Sequence, residues 1–165
     1  MQRCSTISAN LPLGCHGILI KFILKMVFKI LNQDYFTKMV DLAQQLNPNL
    51  ERTLIENRQM EMFNYNNYTP FGCFFDGVLV GITSGWMTTR IYSGKQLELD
   101  NVVMDATLRS QGMGNQFIEW IENWSRENGC QTVELNSYVN SPRAHKFYFK
   151  RNYIVAGFHF IKKLN

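Results

Sequence analysis

At 165 residues the chain is long enough for one domain and short for two. Hydrophobic residues at 45% and aromatic residues at 13% exclude disorder along the whole chain, because that much apolar side chain supports a core. The net charge of +4 is unevenly spread. Residues 1–25 hold Arg3, Lys21 and Lys25 and no acid, which leaves 14 basic against 13 acidic residues in the other 140. No strong bulk attraction for nucleic acid follows, and no nucleic-acid partner is expected.

In the first stretch, residues 18–31 are apolar but short for a span and interrupted by Lys21, Lys25 and Lys29, so no stable membrane insertion is expected. As a helix these lysines would form one basic stripe able to lie on an anionic surface. A secretory signal fits poorly, since Pro12 and Gly14 break any apolar core. A competing reading starts the domain at Met26, with a strand to Leu31 and a helix from Asp34. We take that division: 1–25 is an N-terminal extension, a leader or upstream translation, and 26–165 is the domain.

The helix from Asp34 to Leu46 places Phe36, Met39, Val40, Ala43 and Leu46 on one face. Asn47-Pro48-Asn49 ends it, a second helix covers Leu50 to Met62, and Asn64 to Thr69 reads as an exposed loop. Strands Phe71 to Phe75 and Val78 to Trp86 flank Asp76-Gly77, a pair suited to a tight hairpin. After a turn at Ser93-Gly94, Gln96 to Asp105 is a long strand, which Asp105 ends. Gly112 to Glu127 is a strong helix stopped by Gly129. Thr132 to Asn136 is a strand. Ser141-Pro142 reads as an N-cap with proline at the first helical position, opening a helix through Arg151. Tyr153 to Leu164 supplies one or two closing strands around Gly157. The fold class is α/β, a mixed, mostly antiparallel twisted sheet flanked by about four helices.

Cys4, Cys15, Cys73 and Cys130 form no C-x-x-C pair and have no histidine at zinc-ligand spacing, the Cys15-His16 neighbours aside. No metal site and no disulfide framework are expected, and a reduced, cytoplasmic setting is the default.

The chemistry concentrates in Arg109-Ser110-Gln111-Gly112-Met113-Gly114, between a strand and a helix N-terminus. Glycines let the backbone approach a ligand closely, and successive amide N–H groups with the helix dipole attract phosphate. It is neither a dinucleotide fingerprint, which needs a third glycine, nor a Walker loop, which needs Gly-Lys-Ser/Thr. The segment from Leu99 to Gly114, the helix to Gly129, and Ser141-Pro142-Arg143-Ala144-His145-Lys146-Phe147-Tyr148 together resemble the GNAT superfamily of N-acetyltransferases. Arg-x-x-Gly-x-Gly matches that family's acetyl-CoA pyrophosphate loop, and Ala144-x-x-Phe147-Tyr148 its second landmark. The resemblance covers about residues 26–165.

It implies a GNAT-like fold and acetyl-CoA as cosubstrate, without a metal. Backbone amides from Gln111 through Gly112, Met113 and Gly114 to Asn115 would cradle the pyrophosphate, with Arg109 either on the phosphates or holding the loop. Val102, Val103 and Met104 would pair with the pantetheine arm. Tyr148 matches the tyrosine that protonates the departing thiolate. Ser141 stands where many relatives have a cofactor-side asparagine, and Asn152-Tyr153 replaces the usual Gly-Phe.

A lysine-like amine of pKa about 10.4 costs roughly 4.6 kcal/mol to deprotonate at pH 7. Glu98 and Asp100, two apart on one strand face, are the candidate bases, directly or through water; each could equally be a solvated residue or a partner of Arg and Lys. Trp86 and Tyr92 are candidate borders of the acceptor pocket, whereas His145, His159, Phe147 and Cys130 read as structural. The expected function is transfer of an acetyl group to a primary amine of a small molecule in a ternary complex. Two alternatives stay open: a toxin-type enzyme acting on aminoacyl-tRNA, and a non-catalytic CoA-binding sensor. Relatives often form homodimers, and the sequence leaves the oligomeric state open.

Overall fold

The computed structural model describes residues 26–108 and 112–164. The N-terminal extension, with Lys21 and Lys25, lies outside them, as do Arg109, Ser110 and Gln111. Lys29, the third lysine of the expected basic stripe, stands on a strand and not on a helix. Strand β1 (Met26–Ile30) leads through a short 3-10 turn to helices α1 (Phe36–Leu46) and α2 (Arg52–Met62). Strands β2 (Tyr68–Phe75), β3 (Val78–Arg90) and β4 (Gly94–Met104) follow, then α3 (Met113–Glu127), β5 (Thr132–Leu135) and α4 (Pro142–Lys150).

The five strands form one sheet in the order β1-β2-β3-β4-β5. Neighbours run antiparallel up to β4, while β4 and β5 run parallel. That change has a cause in chain geometry: a parallel return needs a long crossover, and α3 supplies it. The β2–β3 hairpin turns at Asp76 and Gly77, both at positive φ (53° and 80°), the backbone of the tight turn that follows the sheet's twist.

Each sheet face has its own core. Met39, Val40, Leu42 and Ala43 of α1 bury against Phe74, Leu79, Ile82 and Val103. On the other face Phe117, Ile118 and Ile121 of α3 bury against Phe71, Val80, Leu97 and Leu99. The amphipathic spacing of α1 and α3 predicts both contacts.

Three expectations are corrected. Residues 153–164 carry no regular secondary structure, so the closing strands are absent among the described residues. A strand needs a neighbour for its amides, and β-propensity alone does not provide one. Tyr68 and Thr69 belong to β2, paired with Trp86 and Gly85, which shortens the expected loop. Ser141 occupies the N-cap of α4, but its hydroxyl makes no capping bond. Among the described residues no helix is long and apolar enough to cross a membrane.

Candidate functional site

Pairing between β4 and β5 runs from Gln96–Thr132 to Leu99–Leu135 and stops there. The next stretch of β4 is irregular. Ile82 faces Val103 and Ser84 faces Asp100, so Asn101 and Val102 together oppose Thr83. This extra residue is a bulge with Asn101 at φ 53°, and Asp100 braces it by accepting from the Asn101 backbone N–H (2.8 Å) and side-chain amide (3.0 Å). Bulges re-aim a strand, and here the re-aimed segment is Val102–Met104, where pantetheine pairing was expected. Val103 packs into the α1-side core and Val102 against the α3-side core.

Helix α3 begins next to this segment. Gly112 precedes it at φ 79°, a conformation that disfavours any side chain. Its carbonyl accepts from Asn115 N–H (3.1 Å), while the N–H groups of Met113 and Gly114 have no acceptor among the described residues. A Cβ on Gly114 would meet Met104 at 3.7 Å and Phe147 at 3.9 Å, ordinary contact distances. Protein packing therefore does not demand the glycine. The same distances show that the end of β4, the start of α3 and the middle of α4 converge. Met113 buries its side chain, and Asn115 is exposed with its carbonyl bonded to Arg151 Nη1 at 3.0 Å.

A cleft of about 830 Å³ opens between α3 and α4, lined among others by Asn115, Glu122, Arg126, Arg143, Lys146 and Lys150. The α4 cations recur at three- and four-residue steps, a helical periodicity visible in the sequence but not read there as a site. Helix N–H groups without an acceptor among the described residues, beside a cationic cleft, fit a phosphorylated ligand such as acetyl-CoA.

Tyr148 sits half-buried on α4, its ring against Phe147 and Tyr153 at centroid distances of 5.2 and 5.4 Å. Its hydroxyl makes no hydrogen bond to a described residue, and burial pushes its pKa up to about 12. The group holds its proton firmly at neutral pH. Ser141 donates its backbone N–H to Tyr138 (3.0 Å), and His145 Nε2 contacts the same carbonyl at 2.9 Å, so that histidine braces the β5–α4 loop.

Glu98 and Asp100 do share a face, opposite Trp86 and Ser84 respectively on β3. Glu98 also faces Glu134 on β5, and Trp86 faces Tyr68 on β2, giving a row Tyr68-Trp86-Glu98-Glu134 across the sheet. The Trp86 ring lies 5.0 Å from Tyr68 and 5.8 Å from Tyr65. Asn136 Nδ2 donates to Glu98 Oε1 at 3.0 Å, a partner that sequence reasoning missed, and Arg90 Nη2 reaches Oε2 at 3.4 Å. This row lies on the sheet face that α1 and α2 cover, whereas α4 packs with the α3 side. No contact joins Tyr148 to either carboxylate: its ring packs with Phe147 and Tyr153, and α4 sits with the α3-side core. Tyr92 stands 82% exposed in the β3–β4 turn.

Neither Cys73 nor Cys130 is poised as a nucleophile. Burial pushes the Cys73 thiol up to about 11 and raises that of Cys130, so both stay protonated.

Residues 24–153 match the profile of the acetyltransferase (GNAT) family. The chain belongs to the GNAT family. Over 90 residues this GNAT chain is 29% identical to an aminoalkylphosphonate N-acetyltransferase of Salmonella typhimurium, a stretch covering 54% of this chain and 58% of the relative. It thus spans less than two thirds of that relative's length. An aminoglycoside N-acetyltransferase solved in complex with CoA superposes with a TM-score of 0.76 at 15% identity, over 88% of this chain and 99% of that one. A ribosomal-protein-alanine N-acetyltransferase from Brucella melitensis biovar Abortus gives 0.74 at 14% identity, over 86% and 100%. These likenesses show the GNAT fold.

Proposed function

We propose that the domain from residue 26 onward is an acetyl-CoA-dependent N-acetyltransferase acting on a primary amine of a small molecule. The observation that carries this reading is the parting of β4 and β5 after Leu99 and Leu135, beside the α3 N-terminus with its left-handed Gly112. The thioester supplies an activated acetyl group when bound. Met113 and Gly114 N–H groups, with that of Gln111 before them, hold the pyrophosphate, whereas the Asn115 N–H, also expected there, is taken by the Gly112 carbonyl. Arg109, Arg143, Lys146 and Lys150 add positive charge for the remaining phosphate. Val102, Val103 and Met104 align the pantetheine arm, Ser141 borders it, and an N–H of this strand end faces the thioester oxygen as negative charge develops there.

Tyr148 then gives its proton to the departing sulfur. With its pKa near 12 against about 8.5 for an ordinary thiol, the transfer is uphill by about 5 kcal/mol unless the thiolate is desolvated too. The half-buried setting of Tyr148 supplies that desolvation, because it disfavours both anions.

The amine enters from the opposite face. Tyr65 and Trp86 offer aromatic faces, with Tyr68 buried behind Trp86, and Glu98, Asp100 and Glu134 outnumber Arg90. A cationic amine is attracted by both. Glu98 or Asp100 takes its proton before attack. A reduced, cytoplasmic setting is part of this proposal.

Calorimetry with acetyl-CoA tests the cosubstrate directly. The intact chain should bind, and Gly112→Ala should weaken binding about tenfold through the cost of a left-handed side-chain residue. Absence of binding by the intact chain would overturn the reading.

A further inference from the structure

Helix α1 holds the chain that leaves β4 through the side chain of Gln45. This residue stands on the last turn of α1 and is exposed. Its Oε1 accepts from the Ala106 backbone N–H at 3.0 Å, and its Nε2 donates to Asp105 Oδ2 at 3.2 Å. One orientation of the amide serves both partners, because the N–H needs an acceptor and the carboxylate needs a donor.

The other end of this contact is organised by Asp105. Its backbone N–H donates to the Val80 carbonyl at 2.7 Å, which ties it to β3 just past the end of β4. Its Oδ1 accepts from the Thr107 N–H at 3.0 Å and from the Thr107 hydroxyl at 2.6 Å. Its carbonyl accepts from the Leu108 N–H at 3.1 Å, across a 3-10 turn spanning Ala106–Leu108. The Thr107 bonds first, then the Gln45 bond, hold the carboxyl below the ordinary aspartate range, so it remains an acceptor at neutral pH. No residue of the turn is buried, and Leu108 alone of the three leans on the α3-side core. Apolar packing therefore does little to aim the turn, and the hydrogen bonds that converge on Asp105 and Gln45 aim it.

Beyond the turn the chain arrives at Gly112 and the first turn of α3. We infer that Gln45 is a positioning residue for the cofactor: from α1, it fixes the direction in which the chain leaves β4 toward the N–H groups of Met113 and Gly114. This rests on the reading of that helix end as the acetyl-CoA phosphate site. The end of β4 keeps its place without Gln45, since the Val80 bond and the Ile82–Val103 pairing hold it. Gln45 thus acts on acetyl-CoA affinity, through a helix that packs on the opposite face of the sheet from α3.

Calorimetry with acetyl-CoA on the full chain tests this by reversing the polarity of the contact. Gln45→Met keeps the length and loses both bonds; it should weaken binding about three- to tenfold, with the melting temperature little changed because the residue is exposed. Gln45→Glu sets two carboxylates against each other and should weaken binding at least as much. Asp105→Asn alone sets two amide donors together and should weaken it too. Gln45→Glu combined with Asp105→Asn exchanges donor and acceptor, leaves the Ala106 N–H an acceptor and keeps the net charge. That double variant should return to within about twofold of the parent, which independent effects of the two substitutions would not give. If the parent binds acetyl-CoA and Gln45→Met binds equally well, the inference falls while the acetyl-CoA reading stands. A weakening that the double variant fails to repair overturns it as well. No binding by the parent overturns both.

Discussion

Arg151, capping the C-terminal end of α4, grips Glu122 of α3 at 2.7 Å from Nη2 and 3.3 Å from Nε. Both side chains are largely buried, at 14% and 20% exposure, and the Arg151 Nη1 bond to Asn115 carries the clamp to the first turn of α3. One side chain therefore sets the distance between the helix that bears Tyr148 and the helix end proposed to hold phosphate.

Removing that clamp leaves Glu122 half-buried with Tyr153 as its one remaining partner among the described residues. Arg151→Ala should destabilise the domain by about 1–3 kcal/mol in urea denaturation. It should also weaken acetyl-CoA binding. Arg151→Lys, which keeps the charge and loses the two-pronged geometry, should fall between.

Gly85 is required by contact. An added Cβ would stand 2.6 Å from Phe71, 2.9 Å from Leu97 and 3.0 Å from the Thr69 carbonyl. Two of these are core side chains and the third is backbone, so nothing nearby yields cheaply. Gly85→Ala should cost about 1–3 kcal/mol, read from the denaturation midpoint.

The phenol of Tyr148 titrates late. Its folded pKa is raised to about 12 from an ordinary value near 10, so the neutral form is the one favoured by folding. The stability it contributes is complete below pH 10 and is lost as pH rises toward 12. A spectroscopic alkaline titration should show one phenol with a midpoint near 12 in the parent and missing from Tyr148→Phe. A midpoint near 10 would contradict the burial.

The carboxylate facing Trp86 is the proposed base with the better-defined seat, held by Asn136 and Arg90. Glu98→Gln should lower kcat/KM for a cationic amine by about 10²–10⁴ at neutral pH. As pH approaches the amine's own pKa the deprotonation cost vanishes, so the gap should narrow in a pH–rate profile. A gap constant with pH would assign Glu98 to binding alone.

Much of this arrangement is legible in the residues. The α3 and α1 stripes, the Asp76-Gly77 turn and the glycine loop are local signals, each complete within a few positions. The shared face of Glu98 and Asp100 follows from strand periodicity, and the register keeps it despite the bulge. The bulge itself is not legible: Asn101 adds one residue without disturbing the apolar pattern around Leu97, Leu99 and Val103. Ser141 reads as a cap, but its ψ of 66° departs from the extended conformation typical of a capping residue. Asn136 reaching Glu98 is a long-range contact from just past the end of β5 to the interior of β4, with no mark at either. Tyr153 to Leu164 reads as strand because its side chains are β-formers, while no described strand of the sheet pairs with it.

Acetyl transfer with Tyr148 as proton donor is the central claim, and initial-rate thiol release from acetyl-CoA tests it most directly. The panel should include polyamines, aminoglycosides, aminoalkylphosphonates and peptides, with Tyr148→Phe beside the parent. The account predicts turnover with a cationic small amine and a loss of at least about a hundredfold in the variant, with acetyl-CoA affinity retained. Equal turnover by parent and variant would contradict it.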